Sequence, residues 1–231
     1  MKFHLVRPAL ILASSVVLAS CGGGGKETYP IKVTVSNVQY PGLILTTNGQ
    51  ELAVPVPAKP GDTQVLYFAN GLDYGTRYDV IPKGGTATLG GGSQPAHQNC
   101  VTNGYPREYG TAGQTASIES ARTPAIEVFY SCSILSYALS GTITGLPSKD
   151  LSVTLTNGSN STRTFAGSDT DASIPFGLGD VPYGASFGIT VLTQPTGYTC
   201  TVSGNGTGVM LDAQEKNGGV KDVAVTCVKN S

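Results

Sequence analysis

The residue types best suited to chemistry are scarce in this chain of 231 residues: five cysteines (Cys21, Cys100, Cys132, Cys200, Cys227) and two histidines (His4, His97). Cysteines hold zinc when they come as C-x-x-C pairs or beside histidines. None of the five has that spacing, so no metal ligand is expected among them. A Ser-His-Asp or Cys-His site would have to use His97, because His4 lies in a segment that reads as removable. His97 stands in GGGSQPAHQNC, a Gly- and Pro-rich loop with no G-x-S-x-G elbow nearby, and it reads as a plain surface residue. Paired carboxylates can cleave glycosides without a histidine. The acids here, such as Asp62, Asp73, Asp150 and Asp180, are scattered through turns with no preferred pair. Asp169-Thr170-Asp171 could offer oxygen ligands to calcium, but it lacks the EF-hand loop and its closing glutamate. Aspartates in such a Gly-Ser stretch read as turn formers. The glycine runs 84–85 and 90–92 are not followed by Lys-Ser/Thr, so they are not phosphate loops. No catalytic residue and no cofactor is expected; the chain does not read as an enzyme.

The remaining cysteine, Cys21, takes its meaning from what precedes it. Lys2 and Arg7 give a positive start, and Ala9 to Val17 is an apolar stretch too short to span a bilayer. Residues 1–20 therefore read as a signal peptide. Leu18-Ala19-Ser20-Cys21 resembles the lipobox of bacterial lipoproteins. That resemblance implies a diacylglyceryl group on the Cys21 sulfur, cleavage just before it, and acylation of the new amino terminus. The competing reading is an ordinary cleaved signal with an unrelated cysteine after it. Lipid anchoring scales at about 0.8 kcal/mol per buried methylene, so one chain holds marginally and two or more hold stably. Gly22 stands where an aspartate would favour inner-membrane retention in proteobacteria-like systems, so the analogy points to the outer membrane. Gly22 to Gly25 reads as a flexible tether within 21–28. Loss of the signal leaves 12 basic and 15 acidic residues, a net charge of −3. No block of Lys and Arg exists to release counterions, so no nucleic-acid partner is expected.

The elements that must position any site are strands. Only 13% of residues are charged, 31 are glycine and 14 proline, and short alternating runs broken by turn residues replace any helical periodicity. Leu151, Val153 and Leu155 alternate with polar residues before Asn157-Gly158; Phe187, Ile189 and Val191 form another phase, and Val223, Val225 and Cys227 the last. Ile31, Val33 and Val35, then Ile126, Val128, Tyr130 and Cys132, give the same pattern earlier. The N-x-S/T triplets at Asn157, Asn160 and Asn205 read as polar turns.

The halves repeat. Thr46-Thr47-Asn48-Gly49 answers Leu155-Thr156-Asn157-Gly158, and Tyr74-Gly75 answers Tyr183-Gly184, with 26 positions from asparagine to tyrosine each time. Two sandwich domains of seven or so strands follow, at 29–133 and 134–231, with the link near Ser133 to Ser136. With Cys21 committed to lipid, four cysteines remain, and only Cys100–Cys132 and Cys200–Cys227 pair within each copy. SGTITGL, LTNG, YGASFGITVLTQPTGYTC and DVAVTC resemble tandem Ig-like repeats of bacterial surface proteins and lipoproteins. The resemblance covers the second copy well and the first loosely. It implies an all-β architecture of two Ig-like sandwiches rather than an activity, and the chain departs from antibody domains in lacking tryptophan.

The first copy exceeds the second between Tyr74 and Cys100 (26 positions against 17) and between its cysteines. Long loops on a rigid scaffold are where binding residues gather. Tyr105, Arg107 and Tyr109 join flat aromatic surface to a guanidinium, a composition suited to protein or glycan partners; the alternative is a tolerated insertion. The expected function is a non-catalytic binding, adhesion or spacer module lipid-anchored in the bacterial envelope. An exported carbohydrate-active enzyme and a periplasm-facing assembly factor are the alternatives.

Overall fold

A computed structural model describes residues 27–102, 108–114, 125–158, 161–212 and 219–231. The signal segment, Cys21, the glycine tether, Tyr105 and Arg107 lie outside them. The described residues are all-β, with strands and turns throughout.

The first copy holds β1 (Thr28–Tyr29), β2 (Ile31–Ser36), β3 (Ile44–Thr47), β4 (Gln50–Ala53), β5 (Gln64–Tyr67), β6 (Leu72–Asp73), β7 (Arg77–Asp79), β8 (Ile81–Pro82), β9 (Gln98–Thr102), β10 (Tyr109–Thr111) and β11 (Ile126–Ile134). One sheet runs β5-β2-β11-β9; the other layer is β4-β3-β8 with β7-β10 beside it. Ile31, Val33 and Val35 are fully buried on one face of β2, as the alternation requires. They meet Ile126, Val128 and Tyr130 of β11, Leu45 of β3 and Val80 in one hydrophobic core. Each such side chain contributes about 1.5–3 kcal/mol by burial. The β3–β4 hairpin turns on Asn48 (φ 45°) and Gly49 (φ 74°), the left-handed pair that Asn-Gly adopts most readily.

The second copy holds β12 (Ser136–Thr144), β13 (Ser152–Asn157), β14 (Ser161–Ala166), β15 (Ser173–Pro182), β16 (Ser186–Thr193), β17 (Tyr198–Ser203), β18 (Thr207–Val209) and β19 (Gly219–Lys229). Its sheets are β15-β12-β19-β17 and β14-β13-β16-β18, enclosing a separate core around Leu139, Ile143, Leu155 and Val225. β12 and β19 run so close at their register shift that a Cβ on Gly141 would collide with the Val223 carbonyl.

The two copies share one topology. β2 pairs in parallel with β11, and β12 in parallel with β19; in both, the closing strand also pairs antiparallel with the cysteine strand before it. Where the second copy has the continuous β16, the first splits it at Val80 into β7 and β8. Both disulfides, Cys100–Cys132 and Cys200–Cys227, join residues directly opposite across neighbouring strands of one sheet. They therefore differ from a bridge between sheets. β11 ends at Ile134 and β12 begins at Ser136, so the link between copies is the single residue Leu135.

Candidate functional site

Of the three loop residues singled out by composition, Tyr109 alone is described: it opens β10 half exposed, opposite Asp79 on β7. Its neighbour Glu108 is buried, 7% exposed, and its Oε2 accepts a hydrogen bond from Thr102 Oγ1 at 3.3 Å. The Glu108 carbonyl accepts from Val80 N at 2.8 Å, and the Val80 carbonyl accepts from the buried Tyr130 hydroxyl at 2.8 Å. The Glu108 charge acts on Asp79 from the neighbouring strand of the β7–β10 ladder, a pairing that scattered acids in the sequence do not announce. Partial burial raises the Asp79 carboxyl above its ordinary 3.8, and the Glu108 charge raises it further. Burial, with the same two carboxylates, pushes the Tyr130 phenol well above its usual range, so it stays a hydrogen-bond donor. In the second copy Ile189 N donates to Gly206 O just as Val80 N donates to Glu108 O. Gly206 and Gly188 therefore occupy the positions of Glu108 and Asp79, and the acidic pair belongs to the first copy alone.

The Asp169-Thr170-Asp171 turn borders a shallow cleft of about 400 Å³ with Leu146 and Pro147. Ser168 Oγ donates to Asp171 Oδ2 at 2.9 Å, and Lys149 Nζ lies 3.4 Å from Asp169 Oδ2. Those partners occupy the carboxylates as turn formers. Among the described residues no group of three or more His, Cys, Asp and Glu is placed to hold a metal ion.

Gln94 and Gln194 do the same job in the two copies, unnoticed in the sequence although Gln-Pro precedes both Cys100 and Cys200 at the same distance. Gln94 Oε1 accepts from Cys100 N at 2.8 Å while its Nε2 donates to Cys100 O at 3.0 Å. Gln194 repeats this on Cys200 at 2.7 and 3.0 Å. The side-chain amide lies along the outer edge of β9 or β17 as a stub of neighbouring strand.

His97 lies at the junction of the copies and is not the surface residue its loop suggested. Its ring stacks on Tyr183, at the end of β15, with centroids 3.6 Å apart and planes 7° from parallel. Tyr40 meets it edge-on at 5.2 Å, and its Nδ1 lies 3.3 Å from Asp212 Oδ2. Among the described residues its side chain thus meets two aromatic rings and a carboxylate, with no serine or cysteine to act as nucleophile. The backbone continues the seam: Leu135 N donates to His97 O at 2.9 Å, and Leu135 O accepts from Tyr183 N at 2.8 Å. The seam was hidden in the sequence because its members are spread over more than 170 positions.

Neither protein-family models nor curated proteins give a match to this chain. Among solved structures, it shows a likeness to the major pilin protein T-13 of Streptococcus pyogenes. Identity is 13%, 89% of this chain and 98% of that chain are covered, and the TM-score is 0.26. A likeness that loose bears on neither fold nor function.

Proposed function

We propose that this chain is a bacterial envelope lipoprotein, anchored through lipid on Cys21. In this reading its two sandwiches form a non-catalytic spacer that carries a binding surface away from the membrane, with outer-membrane placement following from Gly22. The observation that carries the reading is the arrangement of terminal strands. In each copy the first and last long strands are parallel neighbours, β2 with β11 and β12 with β19. The chain therefore enters each sandwich at one end and leaves at the other, and the copies follow head to tail. Tension between the ends loads each parallel ladder in shear, so many backbone hydrogen bonds must yield together rather than one at a time. That geometry suits a tethered stalk. The partner would be a protein or glycan met by Tyr105, Arg107 and Tyr109, beside the acidic pair of Glu108 and Asp79.

A second reading, an assembly factor that pairs a strand edge with a partner chain, draws support from β5. It is an edge strand with Val65 and Tyr67 half exposed. Two measurements on the full chain in its native envelope separate the readings. Palmitate labelling should vanish with Cys21→Ser; retained labelling would refute the anchor. Envelope material captured by the native chain should be lost with the Tyr105→Ala, Arg107→Ala, Tyr109→Ala triple variant. Unchanged capture would reject the loop and favour the β5 edge.

A further inference from the structure

The backbone at His97 is left-handed, with φ 59°. A side chain disfavours that region, whereas glycine adopts it freely. The second copy shows what the position ordinarily holds. Gln94-Pro95 and Gln194-Pro195 align through their clamps on Cys100 and Cys200, which sets His97 opposite Gly197, whose φ is 73°. The carbonyls match as well: His97 O accepts from Leu135 N just beyond β11, and Gly197 O accepts from Asn230 N just beyond β19, both at 2.9 Å. The fold therefore needs only a glycine here. In the first copy, where a second sandwich follows, the site carries an imidazole instead.

All the ring's contacts beyond its own copy fall on the second sandwich. Tyr183 covers its face and Asp212 takes Nδ1, while Tyr40 of the first copy closes the edge and also meets Tyr183, at 6.1 Å. His97 and Asp212 side chains are 22% and 21% exposed, so the pair is largely shielded from water. The corresponding surface at the entrance of the first sandwich repeats the backbone part of this seam: Tyr74 N donates to Glu27 O as Tyr183 N donates to Leu135 O. There Tyr74 leans on Tyr29 of its own copy and stays 59% exposed.

From this we infer that His97 is an interdomain latch: an imidazole held in a glycine conformation so that it can clamp Tyr183 and Asp212, fixing the second sandwich in one orientation on the first. The single residue Leu135 sets the distance between the sandwiches, and the ring sets their rotation about it. The grounds are the junction's own contacts, so the latch stands or falls separately from the anchor at Cys21.

The test compares residual dipolar couplings of the two sandwiches in the full chain carrying Cys21→Ser, in native form and as His97→Gly and Tyr183→Ala. His97→Gly relieves the backbone and copies the sister site, so both sandwiches should keep the amide spectra of their cores. In the native chain one alignment tensor should fit both sandwiches. In either variant the common tensor should be lost, with the two sandwiches fitting different tensors. One shared tensor in both variants would overturn the latch. So would loss of the first sandwich's core spectrum in His97→Gly, since the ring would then be needed for folding rather than for docking.

Discussion

Asp79 shows how one side chain can work against its own fold. Its carboxyl is raised above the ordinary value by partial burial and by Glu108, so the folded chain binds that proton more tightly than the unfolded chain does. The sign follows directly: the folded state is favoured while the group is protonated and loses that advantage as pH rises from the ordinary aspartate range through the raised value. Asp79→Asn keeps the size and removes the charge. The variant should melt at or slightly above the native temperature at pH 7, and the difference should close near pH 3. A calorimetric series in pH checks this; a variant less stable at pH 7 would show that the carboxylate is a needed partner. The same pair marks a limit of sequence reading at this scale. Glu108 is one residue from Tyr109, which composition singled out, yet its influence on Asp79 depends on a ladder that joins positions about thirty apart. His97 obeys the same limit, since a Gly-rich loop looks exposed until the second sandwich covers it.

At the scale of elements, alternation and turn residues were enough to place the core. β2, β11, β13 and β19 bury the residues whose period of two marked them: Ile31, Val33 and Val35; Ile126, Val128, Tyr130 and Cys132; Val153 and Leu155; Val223, Val225 and Cys227. What alternation could not show was the fate of the sheet edges. β9 and β17 end their sheets, and Gln94 and Gln194 occupy the outward amide and carbonyl of Cys100 and Cys200. Those outward groups point away from β11 and β19, which makes each cysteine pair a non-hydrogen-bonded one. Such pairs have the closer Cα spacing, and both bridges show 3.9 Å. The clamp thus completes the bonding of a strand whose other side is stapled. Gln194→Ala leaves two backbone groups of the buried Cys200 unmet, at about 1–3 kcal/mol for a buried unsatisfied group. Urea unfolding should show the second sandwich destabilised by that amount and the first unchanged. A loss below a few tenths of a kcal/mol would mean that water replaces the amide at no penalty.

Across the whole molecule, the duplicated topology sets how the chain answers force. The disulfides close segments of 32 and 27 residues, which cannot lengthen while oxidised. Pulled from its ends, the chain should give two unfolding steps. Reduction should lengthen them by roughly 11 and roughly 9 nm, at about 3.5 Å per extended residue. Step lengths indifferent to reductant would contradict the pairing. The repeat was visible in the sequence through Asn-Gly and Tyr-Gly at equal spacing, because turns demand particular residues. The way the copies meet was not, because a seam between domains leaves no periodic trace.

Parallel closure also dictates when each copy can fold. β2 is among the first strands of its domain to emerge and must wait for β11, about 95 positions later, before its central ladder exists. Contacts so distant along the chain form slowly and late. If the polypeptide emerges amino terminus first, the first sandwich stays open until Cys132 arrives, and its closure and its oxidation become nearly the same event. The second sandwich repeats the delay up to Cys227. Were the chain threaded through a channel amino terminus first, the order of its strands would keep each copy open until its last strand had emerged.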